Sequence, residues 1–355
     1  MKKLYSVQYL RACAALLVLF AHAFSHQIGA DDPVIVAAGR LGVILFFVIS
    51  GFIMVYISGS GPFSAPVFLK RRAIRIVPLY WIFTTLAALL AALAPDLFQT
   101  TVFTWSHYLQ SLAFIVHEAP ERGGASPILS LGWTLNYEVY FYIVFAALAF
   151  LSLSARVYAL TVFFVAMWLA GLLLAPSSPV LEFYLGVSPL AFVIGAWIGR
   201  RYLDGGFASE AGHVRLLALV AIAGVAIVFV DDGTPLLKQI GFAGQVLWAA
   251  SLLLLGLILE PKIRHLKLLE QLGDASYALY LSHIFVIGAV AYLARRFVGY
   301  EHPATVFLVS LVSIVTACIA SLVIHELVEK PVLRILNGRR KVKGAAHPHA
   351  ATGNR

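Results

Sequence analysis

Arg11 and His22 lie in one apolar stretch with ten residues between them. On an α-helix, eleven steps of about 100° bring the second side chain to within about 20° of the first, roughly 16 Å along the axis. A cation and an imidazole would then share one face, one near each end. Imidazole titrates near neutrality and suits proton abstraction from a hydroxyl. Arg72 and Arg75 are three residues apart and share a helix face. Paired guanidinium forks match phosphate oxygens, so a phosphate-bearing donor would fit them. Glu138 offers a carboxylate that could orient His22 and balance its cation, as the acid of a triad does. Tyr277, Tyr280 and His283 recur at three-residue steps and turn three polar tips to one face, which suggests a lined cavity.

Each of these has a plainer reading. Arg11 could snorkel to headgroups and His22 could bond a neighbouring helix. Lys70 and Arg71 are read as membrane anchors. Glu138 could complement a helix N-terminus. The Tyr277–His283 face could be a hydrogen-bonded seam, with Asp274 or Ser276 capping its helix. Ser50-Gly51 is read as a close-packing pair rather than a nucleophile, since no nucleophile elbow surrounds it. His325-Glu326 lacks the second histidine of a zinc helix: Glu329 stands four residues after His325. We read that segment as structural, with Lys330 and Pro331 ending a helix.

The elements that must position these groups are membrane helices. The 355 residues are 61% hydrophobic and 12% charged, and mean hydropathy is +0.89. A soluble chain carries about twice that charge. Ten apolar stretches are long enough to cross a bilayer at about 20 residues each: 7–28, 39–58, 73–94, 132–152, 155–175, 180–201, 213–231, 238–259, 276–298 and 303–327. The fold class is therefore all-α, a polytopic integral membrane protein of about ten helices. Both termini are expected in the cytoplasm. On that topology Lys2, Lys3, Lys70, Arg71, Arg72, Arg75, Arg156, Arg200, Arg201, Arg215, Lys262, Arg264, Lys267 and the C-terminal cations fall inside. Outside remain Arg40, Arg122, Lys238, Arg295 and Arg296. This is the positive-inside distribution, so the net charge of +9 points to lipid and not to nucleic acid. The same topology puts Glu138 near the outer side, with His22.

Cys13 and Cys318 lie in apolar spans and read as small buried thiols, with no disulfide framework and no zinc spacing. A rival reading makes Lys2, Lys3 and the run to Ala21-His22-Ala23 a cleaved signal peptide. The loop at 95–131 is punctuated by Pro95, Pro120, Gly123, Gly124 and Pro127, and its apolar middle, Trp105–His117, reads as an interfacial or re-entrant segment. Residues 1–335 form one transmembrane domain. Residues 336–355 form a basic tail, expected to be disordered at the inner face.

Taken together, six motifs resemble the acyltransferase-3 family of bacterial membrane acyltransferases. They are Arg11-x10-His22, Phe46-Phe47-Val48-Ile49-Ser50-Gly51-Phe52, Arg72-x-x-Arg75 before Pro78-Leu79-Tyr80-Trp81, Trp133–Glu138, Ser276–His283, and the closing Glu329-Lys330-Pro331. The stretch Asn136–Tyr142 is most similar to a branch of that family concerned with exopolysaccharide production. The resemblance runs from residue 4 to 335. It implies a ten-helix bundle in the bacterial inner membrane. Its activity would move an acyl group, usually acetyl, from cytoplasmic acyl-CoA to a hydroxyl of a cell-surface glycan or its lipid-linked precursor. His22, Arg11, Arg72 and Arg75 map onto the family's functional core: His22 and Glu138 as catalytic residues, Arg11, Arg72 and Arg75 as donor-binding residues. Trp133 and Asn136 join Tyr277, Tyr280 and His283 as candidates for the substrate cavity. Many members carry a second carboxylate after the first; here Val139 and Tyr140 follow Glu138, so the resemblance implies no two-acid role. No metal is expected. The acyl group would pass directly or by way of acylated His22. The rival class is a polytopic exporter of a glycan or lipid-linked precursor, which would show internal repeats; none is evident.

Overall fold

The structure is a computed structural model that describes residues 3–28, 32–59, 61–95, 101–120, 123–205, 207, 212–230, 234–298 and 302–337. The basic tail expected from 336 onward lies outside the described residues from 338.

Apolar stretches with defined starts become helices, in the order α1 Tyr5–Ile28, α2 Pro33–Ser58, α3 Ala65–Leu93, α4 Trp105–Leu112, α5 Trp133–Ala147, α6 Leu153–Leu174, α7 Pro179–Tyr184, α8 Pro189–Leu203, α9 Val214–Val228, α10 Pro235–Leu259, α11 Lys267–Asp274, α12 Ser276–Phe297, α13 Pro303–Ile324 and α14 Lys330–Leu336. A π-turn, His325–Glu329, joins the last two. Pro33, Pro235 and Pro303 stand in the first turns of their helices, where the missing N–H costs nothing. Asp32 accepts from the Val34 and Ile35 amides at 2.9 and 3.2 Å and caps α2. Among the described residues no strand forms, only one bridge between Glu118 and Ala125.

Among the described residues, eight helical segments are long and apolar enough to cross a membrane. The α7–α8 pair, Pro179–Leu203, counts as one of them. Helices α5 and α9, expected as full spans, have only 15 residues each. Large apolar side chains such as Val162, Leu173, Ile222, Phe307, Val315 and Ile319 are exposed, as a lipid-facing surface requires.

Helix α1 runs through the middle, packed against α2, α10, α11, α12 and α13. Its first turn is fixed by Glu260, whose two carboxylate oxygens each accept a backbone N–H, from Tyr5 and Ser6, at 2.8 Å. Lys3 pairs with Glu270 at 2.6 Å and Asp274 at 2.9 Å. The small residues Ala12, Ala14, Ala15 and Ala23 are at most 2% exposed and let neighbours approach closely. A cleaved leader would leave this centre open. Cys13 is exposed on α1 instead of buried, because the helix turns that side away from its partners.

Helices α2 and α8 cross at Gly51 and Gly195. A Cβ on either would lie 1.9 Å from a backbone oxygen of the other helix, Phe192 O or Val48 O. Only glycine permits that approach, and it carries Ser50 into the interior.

The loop after α3 folds into the bundle. Its α4 is strapped to α3 by Tyr80 Oη donating to Ser111 O (3.1 Å), Trp81 Nε1 donating to Leu112 O (2.9 Å), and Thr85 bonding Tyr108 (2.9 Å). The segment Trp105–His117, expected as interfacial or re-entrant, thus contains a short helix packed on α3. At its end, Gly132 sits so close to Tyr80 that a Cβ would meet the phenol at 2.8 Å. Helix α5 consequently starts in the interior: Thr134 Oγ1 is 2.7 Å from Tyr280 Oη, only four residues into α12. Beyond α5, Arg156 is 3% exposed, donates to the Leu148, Ala149 and Leu151 carbonyls at 3.0–3.2 Å, and lies 4.0 Å over the Phe63 ring. It satisfies the orphan carbonyls of a buried helix end.

Candidate active site

The cationic side chains come from two helices. Arg72 and Arg75, one turn apart on α3, are half-buried, while Lys70 and Arg71 are exposed. Arg11 reaches from α1, donating from Nη2 to Ser276 Oγ at 2.9 Å and from Nη1 to Gln8 Oε1 at 3.3 Å. Ser276 therefore holds Arg11 and caps nothing: α12 has no side-chain cap. All three arginines line one cavity of about 180 Å³, together with Ser50, Glu138, Tyr142, Tyr277, Tyr280 and apolar residues such as Phe46 and Met54.

Two carboxylates face these cations. Tyr142 donates to Glu138, and Ser50 Oγ donates to Glu138 Oε1 at 3.2 Å. Arg75 donates to Glu329 Oε1, and His325 Nδ1 lies 2.7 Å from Glu329 Oε2. Glu329 is 3% exposed, so it is a buried carboxylate with both oxygens engaged. The Arg75 guanidinium also lies 5.5 Å over the Tyr277 ring, whose hydroxyl donates to Ile76 O at 2.7 Å. Three guanidinium groups against two carboxylates leave the cavity wall cationic in a low-dielectric setting, where fixed charge attracts an anion strongly. Arg72 Nε is buried with no partner, a donor in reserve.

The structure brings Tyr277 and Tyr280 to the cavity but not Trp133, Asn136 or His283. On α5 the lining face is Thr134, Leu135, Glu138 and Tyr142. Trp133 turns to Phe47 and Tyr137, with ring centroids at 6.4 and 5.9 Å. Asn136 is buried elsewhere, its Oδ1 unpartnered.

The expected pairing of Glu138 with His22 does not form. His22 Nδ1 donates to Val18 O at 2.9 Å, and its ring stands edge-on to His283 at 5.0 Å between centroids. The reason is depth. Because α5 starts inside the bundle, Glu138 lies level with Ser50 and the arginines, not at the far end of α1. His22 lies beyond the cavity wall formed by Phe46 and Tyr280, whose rings are 6.0 Å apart.

Sequence reasoning missed Glu329, Ser276 and Tyr142 as site residues. Tyr142 is four residues after Glu138, and Glu329 four after His325. Those same-face spacings were the available signal.

The sequence has known relatives. Residues 4–324 match the acyltransferase domain. The chain belongs to the acyltransferase-3 family. Within that family it is 35% identical to the exopolysaccharide production protein ExoZ of Rhizobium meliloti (strain 1021), over 87% of this chain and 94% of that protein. It is 27% identical to the acyltransferase MdmB of Streptomyces mycarofaciens, over 98% of this chain and 96% of that one. No solved structure gives a significant match. As an acyltransferase-3 member with eight long apolar helical segments among its described residues, the chain is a multi-pass membrane acyltransferase.

Proposed function

We propose that this protein is an O-acyltransferase of the bacterial inner membrane that moves an acetyl group from cytoplasmic acetyl-CoA to a hydroxyl of an exopolysaccharide or its lipid-linked precursor. The observation that carries the reading is the cavity with Arg11, Arg72 and Arg75 on its wall and a base-bearing imidazole beyond it. Similarity to the exopolysaccharide production protein ExoZ supports the glycan; similarity to the acyltransferase MdmB supports acyl transfer.

Arg72 and Arg75, with Arg11, hold the CoA phosphates. The wall of Phe46 and Tyr280 parts to admit the pantetheine arm, which brings the thioester to His22. His22 removes the proton of the acceptor hydroxyl. The oxygen attacks the thioester carbonyl, the C–S bond breaks, and the thiolate recovers the proton from the imidazolium. Glu138 balances Arg72 and positions Tyr142 and Ser50, in place of the role expected for it beside His22. Glu329 orients Arg75.

Labelled acetyl-CoA supplied to membranes with host glycan tests the reading. Label in the glycan that requires the thioester supports acyl transfer. Glycan export without acyl incorporation would place the chain with the exporters instead.

A further inference from the structure

The turn that ends α13 brings two side chains to Arg75 as a unit. His325 Nδ1 lies 2.7 Å from Glu329 Oε2, and Arg75 Nη1 donates to Glu329 Oε1. A carboxylate oxygen only accepts, so His325 Nδ1 carries the hydrogen. Glu329 is 3% exposed and His325 is 7% exposed. Ile74, Leu79, Val328 and Leu333 line the same small gap as Arg75 and Glu329. Little water competes there for either charge, so their attraction is strong. The turn is π-helical, a rare geometry that is frequent at functional sites.

A guanidinium and a carboxylate frequently pair through two parallel N–H···O bonds. Here that pairing does not form. With Oε2 engaged by His325, Arg75 meets Glu329 through one nitrogen and one oxygen. The guanidinium also lies 5.5 Å over the Tyr277 ring, and Tyr277 is itself tied to Ile76 O at 2.7 Å. Among the described residues Arg75 Nε and Nη2 make no hydrogen bond, and the residue lines the cavity with Arg11 and Arg72.

We infer that His325 is a positioning residue for donor binding: by occupying Glu329 Oε2 it keeps Arg75 on a single bond and leaves the rest of that guanidinium for a phosphate. This rests on the cavity being the donor site of the proposed function. Without the imidazole, Glu329 would draw both arms of Arg75 into a closed pair and withdraw it from the ligand. The effect belongs to binding, since His325 touches neither the cavity nor the reacting atoms. Glu326 on the same turn pairs with Lys330 at the surface and has no such part.

His325→Phe keeps a flat ring and removes the donor; His325→Asn restores an N–H near the position of Nδ1. We expect His325→Phe to raise KM for acetyl-CoA and Kd for free CoA about tenfold with kcat unchanged. His325→Asn should recover most of that, and the control Glu326→Gln should change neither constant. Adding Glu329→Gln to His325→Phe should lower KM again, by a larger factor than the same change does in the otherwise wild-type protein, because a neutral amide does not draw both arms. A double variant no better than His325→Phe, or a loss of kcat at constant KM, would overturn the inference. Nitrogen-15 solid-state NMR of arginine-labelled protein in bilayers reads Arg75 with no ligand, its signals assigned by their loss in Arg75→Lys. One Nη held and one exchanging freely in the wild type, with both held in His325→Phe, is the expected pattern; identical patterns in the two would contradict it. If the wild type bound no CoA while showing the expected NMR pattern, the failure would be that of the proposed donor site and not of His325's hold on Arg75.

Discussion

At the scale of single residues, depth separates function from anchoring. Lys70, Arg71, Arg72 and Arg75 are one cationic run, yet only the last two turn inward. A charge-assisted contact is worth about 1.5–3 kcal/mol, so Arg72→Ala or Arg75→Ala should raise KM for acetyl-CoA by about 10- to 100-fold. Lys70→Ala and Arg71→Ala should leave it within about twofold; steady-state kinetics in membranes would show either pattern. Replacing His22 with Ala should cost about 10²- to 10⁴-fold in kcat, the usual worth of a positioned base. The arginines were legible because i, i+3 spacing and an adjoining apolar run specify which side chains turn inward. Glu329 was not. It lies on a π-turn, which shifts the 3.6-residue phase and swings the carboxylate toward Arg75. The histidine pair was half legible: Tyr277, Tyr280 and His283 share a face, but its partner on α1 depends on tertiary packing.

At the scale of elements, close contacts and straps decide where the groups stand. Gly195→Val would push a side chain into the Val48 carbonyl and separate α2 from α8. Overpacking alone costs about 1–3 kcal/mol, so the thermal midpoint of the purified protein should fall and Ser50 should lose Glu138. The strap around α4 has its own pH dependence. Burial, and then the charge of His117, lowers the pKa of His107 to about 4. A histidine whose folded pKa lies below its unfolded value of about 6.5 favours the folded state above 6.5, and that contribution is lost as pH falls toward 4. Hydrogen exchange should therefore show lower protection factors across 104–117 at pH 5 than at pH 7.5, and His107→Phe should flatten the difference. The apolar stretches announced nearly every long helix. They did not announce that α5 begins inside the bundle, because hydropathy records apolar length and not the depth at which a helix starts. That depth, set by Gly132 against Tyr80, is why Glu138 meets Ser50 and not His22.

At the scale of the whole molecule, the proposed donor site at Arg11 and the proposed base His22 are separate stations along α1, about 16 Å apart by helical rise. Phe46 and Tyr280 stand between them. A bulkier ring at that wall should block the proposed path of the thioester: Phe46→Trp is expected to lower kcat severely, and, because Phe46 lines the same cavity as the arginines, to weaken the affinity for free CoA, read by calorimetry, by a smaller factor. The most direct measurement of the central claim is transfer of labelled acetyl from acetyl-CoA to host glycan by membranes containing the wild type or His22→Ala. Label reaching the glycan with the wild type and not with the variant is the predicted result. Equal labelling by both would contradict it, because the proton would then have to leave the acceptor without His22.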